Sequence, residues 1–157
     1  MTKLLNYSED ELRLKQILTT IINSTSGLKY AIIIDDTGIT ILSQSKFKFS
    51  NENGISVEKI GAIGGAVFIA GEEQGQILGY GKIDLQITEY YGGMIFSAKV
   101  DQGVLCIITD KNVQIGFIRA IMKKWAPQIA KILRRYLQAE PKEISEEIRE
   151  LFNQHVV

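Results

Sequence analysis

One cysteine, one histidine and two prolines stand in 157 residues, and the 18 basic side chains are cancelled by 18 acidic ones. Each scarcity closes off a class of function. A lone Cys106 cannot form an internal disulfide, so the chain reads as a protein of a reducing compartment, and its expected location is the cytoplasm. Softer metal sites need clustered Cys and His, which this sequence lacks, so no metal and no cofactor is expected. His155 lies among the last residues, a poor position for a catalytic imidazole, and Cys106 lies in an apolar run that suits a small core residue better than a nucleophile. With zero net charge there is no global field to attract nucleic acid or an anionic membrane, and nucleic-acid binding is not expected. No apolar run approaches the ~20 residues of a transmembrane helix. The opening residues, Met1 to Asn6 followed by Glu9-Asp10-Glu11, lack the apolar centre of a secretory signal.

Nucleotide chemistry lacks its loop as well. Gly79-Tyr80-Gly81-Lys82 has the surface look of a phosphate loop, but no glycine precedes Gly81 at the required spacing. Ile83 stands where a magnesium-binding Ser or Thr is needed, and Asp84 breaks a dinucleotide G-x-G-x-x-G pattern. Glu72-Glu73 and Asp35-Asp36 pair carboxylates, but neighbours at a helix end and in a turn are expected to face water. The chain therefore reads as non-enzymatic.

What is present is ordinary for a folded domain: 45% apolar and 23% charged residues. Ser8 and Glu11 form a capping-box pattern ahead of Leu14, Ile17, Leu18, Ile21 and Ile22, whose spacing predicts an amphipathic helix ending before Gly27. Tyr30–Ile34 and Ile39–Ser43 flank the turn residues Asp35-Asp36-Thr37-Gly38 and read as a hairpin, followed by a polar loop from Gln44 to Gly54. Ser56 is placed to cap a second helix running to about Glu73. That helix is rich in small residues: Gly61, Ala62, Gly64, Gly65, Ala66 and Ala70. An interior glycine costs about 1 kcal/mol relative to alanine, so close packing should offset it.

Three strands follow: Ile83–Thr88, Met94–Val100 and Val104–Ile108, separated by Tyr91-Gly92-Gly93 and Asp101-Gln102-Gly103. A long helix from about Val113 towards Leu137 should be kinked or split at Pro127, and a last helix is expected to begin near Pro141. Residues 1–137 are taken as one domain and 138–157 as a helical extension. Ala31–Ile34 and Val104–Ile108 are apolar on both faces and suit central strands, whereas Ile83–Thr88 alternates and suits an edge. The expected fold is α/β of the α+β kind, a five-stranded antiparallel sheet of order 2-1-5-4-3 with helices on both faces.

This order of elements resembles the roadblock/LC7 domain, an architecture related to profilin and longin domains. Local matches are Gly27, Ala31–Asp35 with Gly38, Gly81-Lys82-Ile83, Leu105, and Gln114-Ile115-Gly116-Phe117-Ile118-Arg119, where Gln114 replaces the family's frequent asparagine. The resemblance extends from about Glu9 to Leu133. It implies dimers built by pairing third strands edge to edge and packing second helices together. It also implies a role as regulator or scaffold of Ras-like GTPases, or as a light chain of a larger assembly. Expected partners are thus a second copy or a roadblock paralogue, and a small GTPase or larger complex. A structural assembly subunit and a small-molecule sensor are the alternative functions.

Three regions are the candidate sites. Gly61, Ala62, Gly64, Gly65, Phe68 and Ile69 on the second helix, with Lys82, Asp84, Gln86 and Thr88 on the third strand, form the candidate dimer interface. The same small residues would equally allow close packing on the chain's own sheet, and Lys82, Asp84 and Thr88 would equally keep a monomer's edge soluble. Lys123, Lys124, Lys131, Arg134 and Arg135 offer either a partner-binding patch or charges that complement a helix C-terminus. Ile148, Leu151 and Phe152 on the last helix form an apolar stripe that needs a surface to cover it.

Overall fold

Leu14, Ile17, Leu18, Ile21 and Ile22 recur at three- and four-residue spacing, and this is the stripe that helix α1 (Thr2–Ile22) buries, each residue at most 2% exposed. The computed structural model describes residues 2–46 and 56–154, with side-chain surroundings for 9–46 and 56–138. The helix starts at Thr2, so Ser8 sits inside it and is not its cap.

Strand β1 (Leu28–Ile34) and strand β2 (Thr40–Ser45) form the expected hairpin. Its turn is held by the Asp35 carboxylate, which accepts from the Thr37 amide (2.8 Å), the Thr37 hydroxyl (2.6 Å) and the Ile39 amide (2.9 Å). Gln44 and Ser45 belong to β2 rather than to the polar loop, whose positions 47–55 lie outside the described residues. Helix α2 spans Val57–Leu78, with the Ser56 hydroxyl accepting from the Lys59 amide as its cap, and it runs five residues past Glu73.

Strands β3 (Gln86–Glu89), β4 (Gly93–Val100) and β5 (Gly103–Asp110) complete one sheet of order β2-β1-β5-β4-β3, as expected, with antiparallel pairing throughout. The third strand begins at Gln86 and not at Ile83, because Gly81 and Ile83 are held against α2.

Helix α3 runs unbroken from Ile115 to Gln154, 40 residues, or about 60 Å. Pro127 does not split it, and no separate helix begins at Pro141. Pro127 removes one helical hydrogen bond at a cost of about 3 kcal/mol. Beyond it Ile129, Ile132, Leu133 and Tyr136 are all buried at 8% exposure or less, and each such burial contributes roughly 1.5–3 kcal/mol. Burial wins, and the helix continues.

α1 and α3 lie together on one face of the sheet, over Ala31, Ile33, Phe96, Ala98, Leu105 and Ile107, which form the main core. α2 covers the other face over Tyr30, Ile32, Ile34 and Cys106. The two faces are unequally covered. One helix cannot roof five strands, and among the described residues nothing but α2 covers this face, leaving its β3–β4 half open.

Candidate functional site

The small residues of α2 divide between two directions. Gly61 and Gly65 face the chain's own β1–β2 hairpin: a Cβ on Gly61 would stand 2.5 Å from the Thr40 hydroxyl, and one on Gly65 would stand 3.3 Å from the Gly38 Cα. Phe68 is buried with them, at 1% exposure. Three of the six α2 candidates therefore pack within the protomer. Ala62 and Ile69 stay exposed and Gly64 half-exposed.

The outward surface of α2 has a ridge of small residues, Ala62, Ala66 and Ala70, one turn apart and all exposed. Beside it Ile63 and Val67 are 61% and 48% exposed. They border a cleft of about 220 Å³ between α2 and the open half of the sheet, with Ile60, Tyr90 and Ile95 on its walls and Ser97 and Cys106 at its base. Sequence reasoning weighed the glycines and passed over Ile63 and Val67. Their four-residue spacing beside an alanine ridge was the signal available.

At the base of the cleft, burial pushes the Cys106 thiol up to about 11, an effect only partly offset by the Ser97 hydroxyl, which donates to its sulfur at 3.7 Å. A thiol so placed is protonated and inert as a nucleophile at neutral pH.

Of the four strand candidates, Gln86 and Thr88 are on β3, half-buried, with β3's outer edge unpaired among the described residues. Lys82 and Asp84 are exposed and precede the strand. Gly71 and Gly75 explain the displacement. A Cβ on Gly71 would meet Ile83 Cδ1 at 2.8 Å, and one on Gly75 would collide with the Gly81 carbonyl. The Glu72 carboxylate also accepts the Ile83 amide at 2.9 Å, so Glu72 faces its own chain rather than water.

Gly79 and Tyr80 have no amide to offer a phosphate. Gly79 adopts a left-handed φ of 70° and donates to α2 carbonyls, and Tyr80 donates to the Gly75 carbonyl at 2.8 Å. This is a helix C-terminus, whose partial charge repels anions.

The basic residues of α3 also separate. Arg134 pairs with Asp101 in the β4–β5 turn at 3.2 Å, and Arg135 pairs with Asp10 of α1 at 3.0 Å. Lys124 lies over the Trp125 ring, 5.1 Å from its centre, and Lys131 is exposed. Since α3 extends to Gln154, these residues are interior to the helix, and complementing its C-terminus is not their role. Lys123 instead joins Arg119 and Lys99, neither of them anticipated, around a separate groove beside β4. The side chains of Ile148, Leu151 and Phe152, and His155 altogether, lie outside the described residues. Among the described residues no helix is long and apolar enough to cross a membrane.

No family model matches the chain. Two uncharacterised proteins of Methanocaldococcus jannaschii are each 29% identical over 108 residues, covering 69% of this chain and 90% of the relative. Among solved structures, MglB in a tetrameric arrangement superposes with a TM-score of 0.72 at 14% identity, covering 81% of this chain and 92% of that one. A roadblock/LC7 domain from Streptomyces avermitilis gives a TM-score of 0.63 at 13% identity, covering 78% of this chain and 96% of that domain. Agreement of backbone over most of the chain, at identities too low to carry more than architecture, means that this protein has the roadblock/LC7 fold.

Proposed function

We propose that two copies of this chain, or one copy and a paralogue of the same fold, pair through α2 and the edge of β3. The resulting cytoplasmic, non-enzymatic platform binds and regulates a small Ras-like GTPase. The observation that carries this reading is the exposed apolar strip of Ile63 and Val67 beside the alanine ridge, next to an unroofed half-sheet. Soluble monomers rarely leave a large contiguous patch of this kind uncovered. A two-fold copy would lay its own α2 along the ridge and give β3 a hydrogen-bonded neighbour, satisfying both needs with one self-complementary surface. MglB, which shares the fold, has been solved in a tetrameric arrangement, so the fold is compatible with self-association. The GTPase partner rests on the roadblock/LC7 resemblance.

Sedimentation velocity tests the first half. The wild-type chain should run as a dimer at micromolar concentration, and Val67→Glu should run as a folded monomer with an unchanged circular dichroism spectrum. A wild-type monomer throughout that range would end the platform reading. The second half is tested by capture of a GTPase from extract with a non-hydrolysable GTP analogue or with GDP. Nucleotide-dependent capture supports a regulator, and nucleotide-independent capture of a larger complex would replace it with a scaffold.

A further inference from the structure

β4 outlasts β3. Pairing between them ends at Gln86 and Ser97, while β4 continues through Ala98, Lys99 and Val100 against β5 alone among the described residues. Leu85 and Asp84 would have faced Ala98 and Lys99 had β3 continued. The tether to α2 through Gly71, Gly75 and Glu72 holds this segment away and leaves a gap at the sheet edge. Val100 and Gly103 close a two-residue hairpin and exchange its hydrogen bonds, so Lys99 turns its own N–H and C=O outward into that gap.

The gap is the mouth of a groove of about 300 Å³ between residues 83–85, the β4 edge and α3. Its floor is apolar, formed by Leu85, Ala98 and Met122, the last 2% exposed. Its rim holds the cations Arg119 and Lys123 against the carboxylate of Asp84, while the Lys99 side chain, alternating with buried Ala98 and Val100, lies on the α2 face of the sheet edge. None of the three cations forms an ion pair with another described residue. The groove thus has an unused strand edge, an apolar floor and an excess of positive charge.

We propose that this groove receives an extended, acidic segment of a partner protein, which adds to β4 at Lys99 as a short strand. Backbone hydrogen bonds to Lys99 supply the register, an apolar side chain enters the floor, carboxylates flanking it on that same face meet Arg119 and Lys123, and those on the opposite face meet the Lys99 ammonium. A lipid surface fits less well, because the floor is recessed behind the rim and a flat bilayer cannot reach a strand edge. The proposal does not rest on the proposed dimer, which would pair α2 and residues 86–89.

The probe is a fluorescein-labelled peptide of repeating Glu-Glu-Val-Glu, which places glutamates both beside the valines and on the opposite face of a strand, with a Lys-Lys-Val-Lys repeat as control, titrated against the full chain by fluorescence anisotropy. The acidic peptide should bind, and the basic one should not. Arg119→Glu combined with Lys123→Glu should weaken binding at least about tenfold, whereas Lys131→Glu, the same charge change outside the groove, should leave it within about twofold. Amide hydrogen exchange at Lys99 should slow when the peptide is bound, a change that purely electrostatic attraction would not produce. Equal loss in Lys131→Glu, or unaltered exchange at Lys99, overturns the proposal. So does binding only to phosphatidylserine vesicles, or no peptide binding at millimolar concentration.

Discussion

Cys106 and Asp35 show opposite responses of a titratable group to its surroundings. Desolvation dominates at Cys106, whose thiol is raised from 9.0 to about 11. A raised acid stays protonated in the folded chain while the unfolded chain ionises, so stability falls as pH climbs from about 9 to about 11. The loss should be roughly 2–3 kcal/mol and should vanish in Cys106→Ala, as read from urea midpoints across that range. At Asp35 burial also raises the pKa, but hydrogen bonds from the Thr37 hydroxyl and the Ile39, Thr37 and Gly38 amides outweigh it and hold the carboxyl below 3.8. Its contribution is present above the unfolded pKa and is lost as pH falls through the lower folded value. Asp35→Ala should cost about 1 kcal/mol at neutral pH and flatten the acid limb of the stability curve. The Thr40 hydroxyl is buried without a hydrogen-bond partner among the described residues, so Thr40→Val, which keeps its shape, should leave the melting temperature unchanged or raise it.

At the scale of elements, α2 acts as a spacer whose glycines set where its neighbours lie. The Gly61–Gly65 pair admits the first hairpin on one flank, and the Gly71–Gly75 pair draws residues 81–83 against the other. Gly75→Ala should drive the 81–83 segment off the helix, because its Cβ meets a backbone carbonyl that cannot rotate away. The expected cost is about 1–3 kcal/mol, with faster hydrogen exchange at the Ile83 amide once the Glu72 contact loosens. Gly64→Ala meets only Ile34 Cδ1, at an ordinary 3.8 Å, and should be tolerated by the protomer. The contrast between the two variants separates packing within the chain from packing against a second copy.

For the whole molecule, one face is complete and the other is not. α1 and α3 roof the main core and are linked at their surfaces by Arg135 with Asp10, while Arg134 ties α3 to the β4–β5 turn. Such exposed pairs contribute about 1 kcal/mol or less, so the apolar seam is what holds the layer. Leu18→Ala, at 0% exposure in that seam, should cost about 2–5 kcal/mol in chemical denaturation. The α2 face is where the proposed assembly would register. If two copies pair there, the wild-type melting temperature should rise with protein concentration, and that of Val67→Glu should not.

The succession of elements and the sheet order were legible in the chain itself, because apolar residues at period two and period three-and-a-half mark strand and helix wherever they run. Apolar β1 and β5 had to be central and alternating β3 had to be peripheral, since only covered strands bury both faces. Glycine and proline misled where tertiary contacts overruled them. Pro127 did not interrupt α3, because buried Ile129 and Leu133 carry the helix past it. Ile83 did not begin the third strand, because two α2 glycines and one carboxylate hold Gly81 and Ile83 against α2. What only the tertiary structure decided is which atoms remain unused among the described residues: the outward flank of Ile63 and Val67, and the backbone edge of Lys99 beside Arg119 and Lys123. Spacing along a chain specifies which face of an element is apolar. Whether that face meets a neighbour or is left open depends on where residues distant in sequence come to lie, and that is a property of packing alone.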